Sequence, residues 1–209
     1  MRLYQFMKAE HGVAALKRAR LKISRIHELN DPFEFIGVEL SDSKFRGALN
    51  KTRRAISRDH GLLCFSKSWR SPVLWAHYAG NHTGVCLGID LAPRFCRAVN
   101  YVEERLPKPS ILDEEFMKAI LFSKFNHWSY EQEYRCYLRL DEDEAGLYYA
   151  DFGPEMKLAE VIVGHRSKLK RTDIRKLLKP YGLGIKSFKV RPAYRKFEMT
   201  EQKNASLWA

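Results

Sequence analysis

Glu131 and Glu133, followed by Arg135, lie in the segment Trp128-Ser129-Tyr130-Glu131-Gln132-Glu133-Tyr134-Arg135-Cys136-Tyr137-Leu138. In a strand, residues two apart point to the same face, so both carboxylates and the guanidinium would line one side and Tyr134, Cys136 and Leu138 the other. Two acids and a guanidinium are costly to bury, and such a face suits a cleft that meets a polar ligand. The plainer reading of an isolated Glu-x-Glu is a solvated face with a local Glu–Arg pair. Same-face Arg135 and upstream Trp128 set Glu133 above that reading.

Other side chains with chemistry are more easily assigned to structure. Ser66 ends the apolar run Leu62-Leu63-Cys64-Phe65, where a hydroxyl commonly caps the next loop. Trp75 and Tyr78 are three apart on a short helix predicted to begin at Ser71-Pro72, a spacing typical of core packing. His77, between those aromatics, and His82 fit hydrogen-bonded structural roles. Asn30 and Asp31 in Leu29-Asn30-Asp31-Pro32-Phe33-Glu34 have the chemistry of a turn. The chain has no HExxH, no Gly-rich phosphate loop and no convincing metal-ligand spacing, so no metal is expected. The four cysteines, Cys64, Cys86, Cys96 and Cys136, show no close pairing, so neither a zinc site nor a disulfide framework is expected, and three of them read as small core residues.

The elements that must position these residues are short. Strands are expected near residues 3–6, 21–24, 62–66, 83–90, 98–102, 131–140, 147–152, 159–164 and 185–190. Helices are expected near 11–20, 43–59, 73–79, 110–125 and 172–179. Such a mixture predicts an α+β fold: a single domain over residues 1–190, of short, mostly antiparallel strands with several helices, followed by a weakly ordered basic tail over 191–209. At 209 residues and 45% hydrophobic, the chain is long and apolar enough to bury a core. It has no run of membrane-spanning length and no signal-peptide pattern, which points to a cytoplasmic protein without a membrane partner.

The net charge is +12 and unevenly spread. Lys44, Arg46, Lys51, Arg53, Arg54 and Arg58 fall in a stretch without an acid, and thirteen Lys/Arg face three Asp/Glu from Val163 to the end. Basic groups such as Arg53, Arg54, Lys168, Lys170 and Arg171 could meet the phosphates of a nucleic acid. A solvated basic surface that needs no partner is an equally good reading.

Four segments taken in order resemble a known pattern. They are Leu3-Tyr4-Gln5-Phe6, Asn30-Asp31-Pro32-Phe33-Glu34, Cys64-Phe65-Ser66 with Leu74-Trp75-Ala76-His77-Tyr78, and Lys124 with Trp128 and Glu131-Gln132-Glu133-Tyr134-Arg135. Together they resemble the bacterial family described only as domain of unknown function 2971, over roughly residues 1–165. More remotely the order is similar to ADP-ribosyltransferase-like folds, which implies a split sheet with NAD as substrate. On that resemblance Glu133 would stabilise a ribosyl cation and Glu131 would serve the acceptor. Ser66 and Tyr78 would hold the nicotinamide ribose, and Tyr4, Asn30, Trp75, His77 and Arg135 would complete the site. The early Arg or His of those folds is missing from Leu3-Tyr4-Gln5-Phe6. The expectation is an NAD-using transferase, in phage defence or a toxin system. The alternatives are a non-catalytic nucleic-acid-binding module and a metal-independent nuclease or phosphodiesterase with His77 and His82 as acid and base.

Overall fold

The computed structural model describes residues 1–208. Strand β1 (Arg2–Met7) leads through helix α1 (Ala9–Arg18) to strand β2 (Arg20–Arg25). Helix α2 (Ser43–Asp59), strand β3 (His60–Ser66), helix α3 (Pro72–Tyr78) and strand β4 (Val85–Leu91) follow. Two short strands, β5 (Arg97–Ala98) and β6 (Asn100–Val102), precede helix α4 (Glu114–Leu121) and strand β7 (Ser123–Phe125). Then come strands β8 (Glu133–Arg139), β9 (Tyr148–Asp151) and β10 (Met156–Val163). Helix α5 (Arg171–Leu178) and strands β11 (Lys186–Pro192) and β12 (Met199–Glu201) end the order. The fold is α+β, its strand pairings mostly antiparallel.

Caps fix the helix starts. Asp42 begins α2 by accepting from the backbone N–H groups of Lys44 and Phe45 at 2.8 and 3.1 Å. Ser71 caps α3 with Pro72 as its first residue, as its sequence predicts. Helix α4 is shorter than the expected span of 110–125: Asp113 is its cap, accepting from Phe116 N–H at 2.8 Å. It also stops at Leu121, and Ser123–Phe125 turns extended to pair in parallel with β6.

Contacts within the chain gather into two compact units. The first holds Met1–Leu21, Phe65–Pro93 and the chain from Asp151 onward. In it β4 pairs antiparallel with β1, Arg2 opposite Asp90 through Met7 opposite Val85. On its other side β4 pairs antiparallel with β10, where an irregularity falls between Leu158 and Glu160. A parallel β11 and an antiparallel β12 extend that edge. Val85, Leu87, Ile89, Val161, Ile162 and Val163 are buried, which follows from near-continuous apolar runs covered on both faces. The segment from Arg191 corrects the expectation of a weakly ordered tail. Met199 is buried and Trp208 tucks in, its indole N–H donating to Leu169 O at 3.0 Å. Two apolar anchors outweigh the basic residues around them.

The second unit holds Lys22–Cys64 and Arg94–Ala150. Here β2 pairs with β3 through Ser24 opposite Leu62, and β8 pairs with β5 through Arg97 opposite Arg135. Ile26, Phe35, Val38, Leu49, Leu62, Met117, Ile120 and Leu121 form its apolar core. A disulfide joins Cys96 to Cys136 across a sequence separation of 40, correcting the reading of four unpaired cysteines. The β5–β8 register brings the two together, and spacing along the chain carries no sign of it. Among the described residues no helix is long and apolar enough to cross a membrane.

Candidate functional site

The chemistry singled out at Glu131-Gln132-Glu133 lies in the second unit, and its geometry differs from a straight strand. Glu131 ends a 3₁₀ turn over Asn126–Glu131, Gln132 takes a left-handed conformation (φ 45°), and β8 begins only at Glu133. The reversal at Gln132 still points both carboxylates at one ammonium. Lys124 Nζ donates to Glu131 Oε2 at 2.7 Å and to Glu133 Oε2 at 3.2 Å, and lies 3.6 Å from Glu34. Its charge also sits 4.8 Å from the centroid of the Trp128 ring.

Arg135 completes the cluster from below. Its guanidinium gives Glu34 two bonds, at 2.6 and 2.9 Å, and Glu133 two more, at 2.9 and 3.0 Å. Its Nη1 also donates to Leu121 O at 2.6 Å. This fork geometry suits Arg and not Lys. Tyr101 Oη accepts from the Glu133 backbone N–H at 2.8 Å. All five charged groups, Glu34, Lys124, Glu131, Glu133 and Arg135, are buried.

Electrostatics follow from three carboxylates around two cations. Burial alone would push Glu133 up; Arg135, then Lys124 and the Cys64 thiol, outweigh it and hold the carboxyl at about 2. Glu34 goes the other way. Its burial, with the Glu133 charge nearby, lifts it above the ordinary carboxylate range despite Arg135 and Lys124. Burial also pushes the Cys64 thiol well up, with Glu133 adding to it, so Cys64 stays protonated. The cluster is therefore a sealed ion network. Each oxygen of Glu133 already accepts a charged donor, and no metal-holding group of His, Cys, Asp or Glu occurs among the described residues. A cavity of about 290 Å³, lined by Phe33, Val102, Arg105, Lys124 and Phe125 among others, adjoins its Lys124 side.

The remaining expected site residues divide between the units. Asn30 is exposed in the turn of the second unit, beside Asp31, which accepts from Phe33 N–H at 2.9 Å. In the first unit, Tyr4 on β1 stands opposite Ser66 on β3 and opposite Gly88 on β4. A Cβ at Gly88 would lie 2.9 Å from Glu160 Cβ and 3.2 Å from the Tyr4 ring, so glycine makes room for both. Glu160 accepts from Arg2 at 3.2 Å through one oxygen, while its buried Oε2 has no hydrogen bond of acceptable geometry. Burial, then Glu160, pushes the Tyr4 phenol up to about 12. Trp75 is fully buried, its N–H donating to Trp69 O at 2.7 Å and its ring meeting Phe6 edge-on. His77 is exposed and edge-on to Tyr78. His82 has a left-handed backbone (φ 70°), and burial, helped by Arg166, lowers its pKa.

Lys124 and Glu34 are the members whose part in the cluster sequence reasoning did not reach. A lone lysine between Phe122 and Phe125 is the available signal: a cation in apolar surroundings needs acids around it.

The basic groups on α2 form a different kind of surface. Phe45, Leu49 and Ile56 turn inward to the apolar core of the second unit. Lys44, Lys51, Arg54 and Arg58 are exposed. Spacings of three, four and seven place them along one side of a helix about 25 Å long, with Gly47 and Ala48 between them. No acid occurs in the helix before Asp59. Arg53 is half-buried on the flank. In the first unit, Lys168 and Lys170 are exposed ahead of α5, and Arg171 lies over the Trp208 ring at 5.8 Å.

Comparison with family models, with curated proteins and with solved structures finds no match.

Proposed function

We propose that this protein binds nucleic acid, with the outward side of α2 lying against the phosphate backbone. The observation that carries the reading is the row of exposed cations Lys44, Lys51, Arg54 and Arg58 on a helix free of acids until its last residue. Small residues at Gly47 and Ala48 let a broad, charged partner approach the helix closely. Phosphate contacts of this kind position a protein without reading sequence, so the expected binding is weakly sequence-dependent. A gel-shift comparison of wild type with Lys51→Glu/Arg54→Glu tests it. Reversal of two exposed charges should weaken binding at least tenfold while circular dichroism stays unchanged. Equal binding by both proteins would remove α2 from the interface.

A second reading retains the NAD chemistry that the sequence motifs imply, in an ADP-ribosyltransferase-like split sheet. Tyr4 opposite Ser66 favours it, because two residues expected at the cofactor stand side by side. Glu133, held ionised with its pKa at about 2, has the charge an oxocarbenium-like sugar requires. To meet a sugar it must exchange a bond with Lys124 or Arg135 for one with the ligand. Nicotinamide release assayed for wild type, Ser66→Ala and Glu133→Gln tests this reading, and unchanged release in both variants would end it.

A further inference from the structure

We infer that the β11–β12 hairpin is a stacking finger for unpaired bases, so that the nucleic acid bound is single-stranded or locally opened. This inference rests on the nucleic-acid reading above but on different residues. The strands pair from Val190 opposite Glu201 to Pro192 opposite Met199, and the Ala193 N–H donates to Glu198 O at 2.9 Å. Four residues, Tyr194, Arg195, Lys196 and Phe197, are left at the tip. Tyr194 is 89% exposed and Phe197 103%, so neither ring is packed into the body of the protein. Arg191 lies over the Tyr194 ring at 4.1 Å, giving that ring a cation on one face.

The base of the hairpin is rigid where the tip is bare. Met199 is buried, its N–H donates to Arg70 O at 2.7 Å, and Arg70 lies 3.7 Å from Glu198. Exposed aromatic rings are a solvation cost that an anchored hairpin does not need for its own folding. With Arg191, Arg195 and Lys196 beside them, they match a ligand that offers flat apolar faces and regular negative charge together. Single-stranded nucleic acid does so, since its bases stack on aromatics while its phosphates meet cations. In an intact duplex the base faces are covered by their neighbours. A preset tip also spares the ordering cost of binding.

The test is fluorescence anisotropy of a labelled oligothymidylate of about a dozen nucleotides and of a matching duplex, with three proteins. These are wild type, Tyr194→Ala/Phe197→Ala, and Lys51→Glu/Arg54→Glu, with circular dichroism as the folding control. The finger variant should bind the single strand at least about tenfold more weakly, keep the salt dependence of wild type, and bind duplex within about twofold of wild type. Tyr194→Trp/Phe197→Trp should restore single-strand binding. Single-strand affinity unchanged in the finger variant overturns the inference while leaving α2 in place. Loss in the finger variant with none in the α2 variant supports the finger and overturns the α2 interface. Wild type that binds no single strand, or a finger variant whose only defect is in binding anionic lipid vesicles, overturns the finger.

Discussion

Glu34 and Arg135, 101 positions apart in sequence, are joined by two N–H···O bonds at 2.6 and 2.9 Å. Glu34 closes the turn motif Asn30-Asp31-Pro32-Phe33-Glu34, and Arg135 closes Glu131-Gln132-Glu133-Tyr134-Arg135. The two most distinctive motifs of the chain therefore meet in one buried network. Long-range ion pairs of this kind fix which segments lie together more surely than they add stability, because desolvation takes back much of the attraction.

Arg135→Met should be strongly destabilising. The side chain fills much of the same volume, but Glu34 and Glu133 lose their shared partner and stay buried with Lys124 alone. Removal of one member of a buried ion network typically costs about 3–5 kcal/mol. Urea unfolding monitored by tryptophan fluorescence measures it. A loss under about 1 kcal/mol would mean that water enters the cluster freely. Arg135→Lys should recover only part, since an ammonium cannot make the paired bonds.

Acid should unfold the protein through Glu133. Its folded pKa is held at about 2, below the ordinary value near 4.5. The stability this contributes is complete above about pH 4.5 and is lost as pH falls toward 2. Glu34, shifted upward, acts in the opposite sense: its contribution is complete at low pH and is lost as pH rises through its folded pKa. Urea midpoints between pH 2 and 6 should fall toward acid, and Glu133→Gln should flatten the lower part of that curve. Parallel curves for variant and wild type would contradict the assignment.

Gly88→Ala should cost roughly 1–3 kcal/mol, because the added methyl meets Glu160 Cβ at 2.9 Å and the Tyr4 ring at 3.2 Å. The same variant should change the ultraviolet titration of Tyr4, whose phenol is held up to about 12 by burial and Glu160. A neutral effect on both would show that the ring does not pack over Gly88.

Much of the architecture could be read from local chemistry. Asp42 ahead of the α2 stripe, Ser71-Pro72 ahead of α3 and the apolar runs of β3, β4 and β10 each declare their element by cap, proline or continuous hydrophobicity. Where two signals competed, the sequence misled. Ser110-Ile111-Leu112-Asp113 offers two capping residues, and only Asp113 reaches a free backbone N–H. Alternation from Glu131 suggests a strand, yet a left-handed turn at Gln132 breaks it before Glu133. The charge network was out of reach for another reason. Periodicity tells which face a residue occupies and nothing about which distant segment lies opposite, so neither Glu34 nor Lys124 could be matched to Arg135 and Glu133. The same limit hid the Cys96–Cys136 pair.

That pair gives a simple chemical check. Cys64 and Cys86 are the free cysteines, and burial pushes both thiols well up. Air-equilibrated protein unfolded without reductant should show two titratable thiols, and four after reduction. Peptide mapping should recover Cys96 linked to Cys136, and any other linkage would contradict the β5–β8 register.

The most direct test of the α2 interface is the salt dependence of nucleic-acid binding. Anisotropy titrations across a range of ionic strength should give a straight line of log affinity against log salt concentration. On a duplex, four phosphate contacts from Lys44, Lys51, Arg54 and Arg58 predict a slope of about −3 to −4, at roughly −0.9 per contact. Lys51→Glu/Arg54→Glu/Arg58→Glu should bring that slope close to −1 without changing the unfolding midpoint. No detectable binding at low salt, or a slope that the triple variant leaves unchanged, would contradict the assignment of α2 as the phosphate-binding surface.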